Sequence, residues 1–446
     1  MTAQGIPLLT HDSPGAVVAY RGGKAITARQ FLADVARVSA LLPAGRHVLN
    51  ACDDRYRFTV GLAACLVCNK ISLLPPTQVP EVIRHLQVFA PDACCLTDSD
   101  ACNVGLPMVS FPGDFAPQPA VWDVPRISGD QCVAYVFTSG STGTPVPHAK
   151  TWSQLVESVR IEAGLLGFDD GRRHSLVATV PPQHMYGLES SVLVALQSGQ
   201  AFCAERPFYP ADIAGVLGAV PRPRALVSTP IHLRALLAAA IDMPALDLVL
   251  CATAPLEPSI AAAIEARFGA PLIEIYGSTE TGQIASRRTS ESMEWCLFPG
   301  VELVPREGLT YAQGGHVEIP TLLGDFLEIL PSGRFMLQGR VEDLVNIAGK
   351  RSSLAYLNHQ ITALPGVVDG AFFLREDSAD RSTIGSSRLG ALLVAPGVTA
   401  ETIMRSLRER LDPIFLPRPL LFVDEIPRNT TGKLTKSALT SLTKRG

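Results

Sequence analysis

The strongest constraint on this chain is an alternation that runs through most of its length. Segments with apolar residues at helical spacing alternate with short apolar runs bounded by turn residues. The segment "ITARQFLADVARVSALL" (26–42) reads as helix and "HVLNAC" as strand. Then "VPEVIRHLQVFA" reads as helix and "DACCLT" as strand. The pattern continues through "RALVSTP", "IHLRALLAAAI", "LDLVLCATAP", "SIAAAIEARFG" and "PLIEIYGST". An isolated amphipathic helix or half-apolar strand has to bury its apolar face against another element. Alternation of this length therefore points to α/β layers with largely parallel strands. From about 299 to 335 Pro and Gly become frequent among short strand-like pieces, which predicts a β-rich subdomain.

Near 341 the pattern changes. Strand "DLVNIA", helix "SSLAYLNHQITAL", strands "VVDGAFFLR" and "RLGALLVAP", helix "TAETIMRSLRERL" and strand "PLLFVDEIP" make a compact α+β unit. Ile403, Leu407 and Leu411 recur every four residues and give its second helix one apolar face. The polar "EDSADRSTIGSS" between the middle strands reads as a mobile connection. The expected fold class is α/β: a large multi-layered α/β N-terminal domain (1–340) with a β-rich subdomain, and a small α+β C-terminal domain (341–446). A chain of 446 residues is long enough for two such cores.

Composition narrows the partners. The chain is 47% hydrophobic and 18% charged, with a formal net charge of −4, so neither nucleic acid nor an anionic membrane surface is expected as the main partner. The start "MTAQGIPLLTHDSPG" lacks the basic region and apolar run of a signal peptide. No stretch approaches the ~20 apolar residues of a membrane span, and the expected location is the cytoplasm. Of ten cysteines, Cys65 and Cys68 form a CxxC inside the apolar "GLAACLVC". No second ligand pair stands at zinc spacing, so buried free thiols are expected.

Four stretches carry candidate chemistry. The first is "TSGSTGTPVPHAKTW" from Thr138. Gly140 and Gly143 let main-chain N–H groups approach an anion, and Ser139, Ser141 and Thr142 add hydroxyls. The stretch does not satisfy GxxxxGK[ST], so it is not a Walker loop; on its own it reads as a phosphate cradle or as a serine-rich turn. The second is "IEIYGSTETG", where a strand ends in Tyr276, Gly277, Ser278, Thr279 and Glu280. A lone carboxylate among hydroxyls suits Mg²⁺, which prefers hard oxygen donors, and Tyr276 offers a flat face to a base; an ordinary polar loop is the alternative. In the third, Asp325 follows Gly324 and Arg340 follows Gly339, a carboxylate and a guanidinium suited to one ribose diol. The fourth, "DEIPRNTTGKL", places Lys433 after Gly432.

In this order and spacing, from about residue 60 to 440, the stretches resemble the adenylate-forming superfamily of acyl-CoA synthetases, nonribosomal adenylation domains and luciferases. The resemblance implies ATP and Mg²⁺ as cofactors. It implies that "TSGSTGTP" is the phosphate loop, and that in "YGSTETG" Thr279 meets the phosphate and Glu280 the metal. In "PPQHMYGLE" it implies an aromatic gate with His184, Tyr186 and Gly187. "CATAPL" matches a segment beside the adenine and acyl group, with Thr253, Ala254 and Pro255. By the same resemblance Ser228 and Gly277 line the acid pocket, and Asp325 and Arg340 bind the ribose. Glu342 falls at the hinge, Gly349 at the thiol tunnel and Arg351 near the phosphates. Lys433 is the catalytic lysine, bridging carboxylate and nucleotide, and the small domain is implied to rotate between half-reactions.

Two departures stand out. The lysine usual after "GTP" is Val146, followed by Pro147 and His148, and the usual histidine at the start of the next helix is Trp152. Lys150 or His148 is the candidate for the missing charge. The chain is also shorter than typical members. "PHAKTW" with this compact length resembles a subgroup found with aryl-polyene and xanthomonadin-type pigment pathways. That likeness implies an aryl acid, such as a hydroxybenzoate, loaded on an acyl carrier protein. The gate stretch has no Asp to hold an α-ammonium, which favours an acid without one. The alternatives are a fatty or aryl acid CoA ligase, and a nucleotide-binding regulator that has lost turnover.

Overall fold

The structure is a computed structural model that describes residues 5–102, 104–113, 122–139, 145–340, 344–347, 350–374 and 389–426. The chain divides into two units: Met1–Leu303 with Ala312–Thr321, and Val304–Tyr311 with Leu322–Gly446.

Among the described residues, the first unit is built on two large sheets, beside a small pairing of Ile6–Pro7 with Arg126–Ile127. One has six strands in the order Pro145–Thr151, Cys132–Ser139, Ile71–Leu74, His47–Asn50, Cys94–Thr97, Met108–Ser110. The other has nine, in the order Cys296–Leu297, Gly282–Arg287, Leu272–Ser278, Leu248–Cys251, Arg224–Ser228, Ser175–Ala178, Ala201–Cys203, Val17–Arg21, Lys24–Thr27. From Leu272–Ser278 through Val17–Arg21 the neighbours are parallel, and antiparallel strands lie beyond both ends. Every residue of Ser175–Ala178 and Leu248–Cys251 is buried, as expected of parallel strands covered on both faces. Val177, Leu226, Val249 and Leu272 form one core with Ile213, Leu233 and Ile264 from the crossover helices.

The expected α/β layering is present, and local chemistry explains where helices begin. Thr27 and Gln30 form a reciprocal capping box ahead of Ala28–Leu41, and Thr151 and Gln154 do the same ahead of Trp152–Leu165. One segment departs from expectation. Pro145–Thr151 is a strand, antiparallel to Cys132–Ser139, where a loop leading into the helix was expected. It carries Pro145 and Pro147, which an edge strand tolerates because missing donors can face away from the ladder. The apolar "GLAACLVC" belongs to helix Arg55–Val67, with Cys65 fully buried.

In the second unit, Asp325–Ile329 pairs with Phe335–Arg340, and Leu344–Ile347 with Lys350–Ser353. A three-stranded sheet, Asp369–Leu374, Leu389–Val394 and Leu420–Phe422, carries helices Leu354–Thr362 and Ala400–Arg408. Ile403, Leu407 and Leu411 enter its core with Leu357, Ile361, Phe372 and Leu393, as their spacing predicts. The polar connection at 376–387 lies outside the described residues. Among the described residues, no helix is long and apolar enough to cross a membrane.

Candidate active site

In the nine-stranded sheet the parallel strands end side by side at Ala178, Ser228, Cys251 and Ser278. Ligands of open α/β sheets bind beyond such carboxyl ends. Here the chain presents Thr179, Ser228, the Thr253–Pro255 segment and the turn after Tyr276. Thr253 has φ 84°, a strained value for a β-branched residue. The exposed Thr253, Ala254 and Pro255 form the lip after the strand that ends at Cys251.

The turn after Tyr276 is tightly made. The Ser278 amide donates to Thr281 Oγ1 (3.1 Å), the Thr281 amide donates to Ser278 Oγ (3.2 Å), and the Thr281 hydroxyl donates to the Gly282 carbonyl (2.8 Å). Gly277 is dictated by packing: a Cβ there would lie 2.1 Å from the Gly282 carbonyl oxygen. Tyr276 is buried and tilts against Trp295, with ring centroids 5.6 Å apart. The Glu280 side chain stays 37% exposed. An exposed carboxylate on a rigid turn fits Mg²⁺, which is bound by one or two carboxylates together with phosphate and water.

The hairpin Cys132–Ser139/Pro145–Thr151 supplies the facing groups. His148 Nε2 lies 2.9 Å from Thr138 Oγ1 and 3.5 Å from Glu280 Oε1. Burial lowers the pKa of His148, Glu280 opposes that shift and Lys150 adds to it. Lys150 is 5% exposed, and its ammonium donates to the Glu280 carbonyl at 2.8 Å. Burial lowers the Lys150 pKa, against the pull of Glu189 and Glu280. Trp152 is fully buried and its Nε1 donates to the Ile6 carbonyl (3.4 Å). The residue standing for the usual histidine is therefore a packing residue.

Beneath this face lies a polar layer that sequence reasoning missed. Leu188–Leu193 is a π-helical turn, a form that often marks functional sites. It carries Glu189, Ser190 and Ser191, all buried. Ser158 donates to Glu189 Oε1 (2.9 Å), and Gln283 Nε2 donates to Ser190 (2.7 Å). Burial raises Glu189 to about 7, with Lys150 opposing, and raises Glu162 to about 8, with Ser190 and Gln283 opposing. Burial also lowers His316, beside Gln283, to about 4. Arg55, fully buried, donates to Ser191 Oγ (2.5 Å) and to the carbonyls of Ala178 (2.9 Å) and Val180 (2.7 Å). It thereby braces the strand end that leads into the gate. The available signal was charge inside apolar context, as in "YGLESSVLVAL".

The gate stretch turns at Pro181–Gly187. His184 is exposed at the rim, and the protein around its ring lowers its pKa by desolvation. Tyr186 is buried near Ser228, and burial raises its pKa. Gly187 packs so closely that a Cβ would meet the Pro181 carbonyl oxygen at 2.0 Å. Ser228 Oγ lies 3.1 Å from Thr179 Oγ1, and His232 Nδ1 lies 2.8 Å from Thr229 Oγ1.

Thus Thr138, His148, Lys150 and Glu280 meet in the first unit, and Tyr186 lies near Ser228. In the second unit Asp325 and Arg340 are Cα partners across one hairpin, and Arg351 lies on strand Lys350–Ser353. Ser139 ends the hairpin's first strand. Gly140, Ser141, Thr142, Gly143, Glu342, Gly349 and Lys433 lie outside the described residues.

The chain is similar to known proteins in sequence and in fold. The chain is 27% identical over 316 residues to a 4-coumarate–CoA ligase of Rhodobacter capsulatus, covering 70% of this chain and 77% of that protein. It is 26% identical over 357 residues to a 4-chlorobenzoate–CoA ligase of Arthrobacter sp, covering 69% and 65%. The fold is similar to that of o-succinylbenzoate CoA synthetase from Bacillus subtilis in complex with ATP and magnesium ion. That match has a TM-score of 0.80 at 18% identity, over 96% of this chain and 97% of that one. The AMP-binding enzyme family matches residues 10–303. On that match the chain belongs to the AMP-binding enzyme family, as an AMP-forming acid–thiol ligase.

Proposed function

We propose that the protein activates an aryl acid of the hydroxybenzoate kind as its acyl-adenylate and passes the acyl group to the thiol of an acyl carrier protein. The observation that carries the adenylation reading is the Glu280 turn, an exposed carboxylate at the strand ends facing His148, which in turn meets Thr138. The aryl preference is supported by the two relatives named above as ligases of aryl acids, and the absence of an Asp from the gate stretch favours an acid without an α-ammonium.

In the first half-reaction a carboxylate oxygen attacks the α-phosphorus of ATP, and the bond to the bridging oxygen breaks as pyrophosphate leaves. Both reactants are anionic, so positioning and charge neutralisation carry the rate. Glu280 would hold Mg²⁺, which when bound would supply part of that neutralisation. The amides of residues 139–143 and the Thr142 hydroxyl receive the departing pyrophosphate, and Lys433 bridges carboxylate and nucleotide. On the resemblance, Asp325 and Arg340 would bind the ribose, Thr253–Pro255 and Tyr276 the adenine, and Arg351 the phosphates. His184, Tyr186, Gly187, Ser228, Ala254 and Gly277 shape the acid pocket. In the second half-reaction a thiolate attacks the mixed anhydride and AMP leaves. On the resemblance, a small domain counted from 341, with its hinge at Glu342 and its thiol tunnel at Gly349, would exchange Lys433 for the pantetheine arm.

A second reading keeps the first half-reaction and takes CoA as acceptor, favoured by the names of both relatives as CoA ligases. The test is pyrophosphate exchange across a panel of aryl and fatty acids, followed by product mass with CoA and holo-carrier protein offered in parallel. Exchange with hydroxybenzoates and acylation of the carrier support the proposal. Acyl-CoA as sole product supports the second reading. ATP binding without exchange for any acid indicates a regulator and overturns both.

A further inference from the structure

Val146, His148 and Lys150 stand at alternate positions of one strand, where the pleat sends side chains to a common face. They differ sharply in what they do. Val146 is 44% exposed, while Lys150 is almost wholly buried. The lysine's ammonium is committed to a main-chain carbonyl, that of Glu280. The side chains of Ser278 and Thr281 tie the turn to itself, whereas Lys150 ties it to the neighbouring sheet. Glu189 supports the other side. A Cβ on Gly282, whose φ is +73°, would lie 3.0 Å from Glu189 Oε1, so the π-helical turn packs directly under the residue that closes the turn.

We propose that Lys150, with Glu189 packed under Gly282 on the other side of the turn, is a positioning residue that fixes the Glu280 turn in the orientation in which its carboxylate meets Mg²⁺. This rests on the reading of Glu280 as the metal carboxylate. The positive charge absent at position 146 is therefore not restored at the phosphates. It lies beneath the turn and acts through the main chain of Glu280, while His148 meets the Glu280 carboxylate from above. Removing the buried ammonium takes its donor from the Glu280 carbonyl and loosens the turn, so the effect falls on metal-dependent binding.

The test uses the full chain and calorimetric titration of ATP, once with Mg²⁺ and once with EDTA. In wild type Mg²⁺ should tighten ATP binding, and Glu280→Gln should remove that gain. Lys150→Met should reduce the gain by about tenfold, leave ATP binding in EDTA unchanged, and add nothing in the Glu280→Gln background. Lys150→Arg should retain most of it. If Lys150→Met does not fold, Glu189→Gln provides the same comparison and should lose part of the gain. If wild type shows no metal-dependent gain, or Glu280→Gln keeps it, the reading of Glu280 fails. If those controls behave and both Lys150→Met and Glu189→Gln keep the full gain, the positioning role fails. Equal weakening with and without Mg²⁺ overturns it too, because Lys150 then acts on the nucleotide directly.

Discussion

Lys150 and Glu280 stand 130 positions apart in the chain and are joined by one hydrogen bond of 2.8 Å, from the lysine ammonium to the glutamate's main-chain carbonyl. The bond ties the edge strand of the six-stranded sheet to a turn of the nine-stranded sheet. It engages only the main chain of Glu280, so the carboxylate, which His148 approaches at 3.5 Å, stays on the exposed side of the turn.

Gly277→Ala should disable the same turn from its other end. The added methyl meets the Gly282 carbonyl oxygen at 2.1 Å and Gln283 Cα at 2.8 Å, both main chain. Strand separation is the only relief, at an expected cost of roughly 1–3 kcal/mol. Urea unfolding should show that loss, and calorimetry should show weaker Mg²⁺-dependent ATP binding.

Glu162 is fully buried and raised to about 8, so between its unfolded pKa and about pH 8 the folded state holds more protons than the unfolded state. Stability contributed at this site is therefore greatest at low pH and falls as pH rises through that window. Glu162→Gln removes the dependence. Thermal unfolding should show the variant gaining on wild type from pH 5 to pH 9, by up to a few kcal/mol, because each tenfold difference in proton affinity is worth ~1.4 kcal/mol. A constant difference across that range rules the account out.

Arg287 and Glu274 form a buried ion pair with contacts of 2.8 and 2.6 Å, joined by the Thr289 hydroxyl and the Leu256 amide. Both side chains are at most 5% exposed, and the guanidinium lies over the Trp295 ring at 4.3 Å. Arg287→Met strands a carboxylate and should cost about 3–5 kcal/mol, read by urea unfolding. Removing both charges in Arg287→Met/Glu274→Leu should recover part of that loss.

Lys433→Ala and Glu342→Pro should separate the two half-reactions. The first should cut pyrophosphate exchange by roughly 100-fold or more. The second should slow thioester formation more than exchange, because the hinge is needed only for the change between steps. Wild-type exchange in Lys433→Ala refutes the assignment of Lys433, and equal loss of both half-reactions in Glu342→Pro refutes the hinge.

Much of the fold was legible because its causes are local or periodic. The alternation of helix and strand, the Thr27 and Thr151 caps and the apolar face of Ile403, Leu407 and Leu411 depend on neighbours within a few residues. The Pro145–Thr151 strand was not legible, because an edge position that tolerates Pro145 and Pro147 is a property of the whole sheet. Nor was Glu189, whose place under Gly282 depends on a π-helical turn.

By itself the sequence determined the layered α/β class and the set of polar groups available at the strand ends, since both follow from residue type and short-range spacing. It also recorded the loss of lysine at position 146. Only the tertiary structure decided what replaced that charge. Which of His148 and Lys150 meets the Glu280 carboxylate, and which holds its main chain, is fixed by the meeting of two sheets. The physical reason is that burial and hydrogen-bond geometry arise from packing between residues far apart in the chain, which no local pattern encodes.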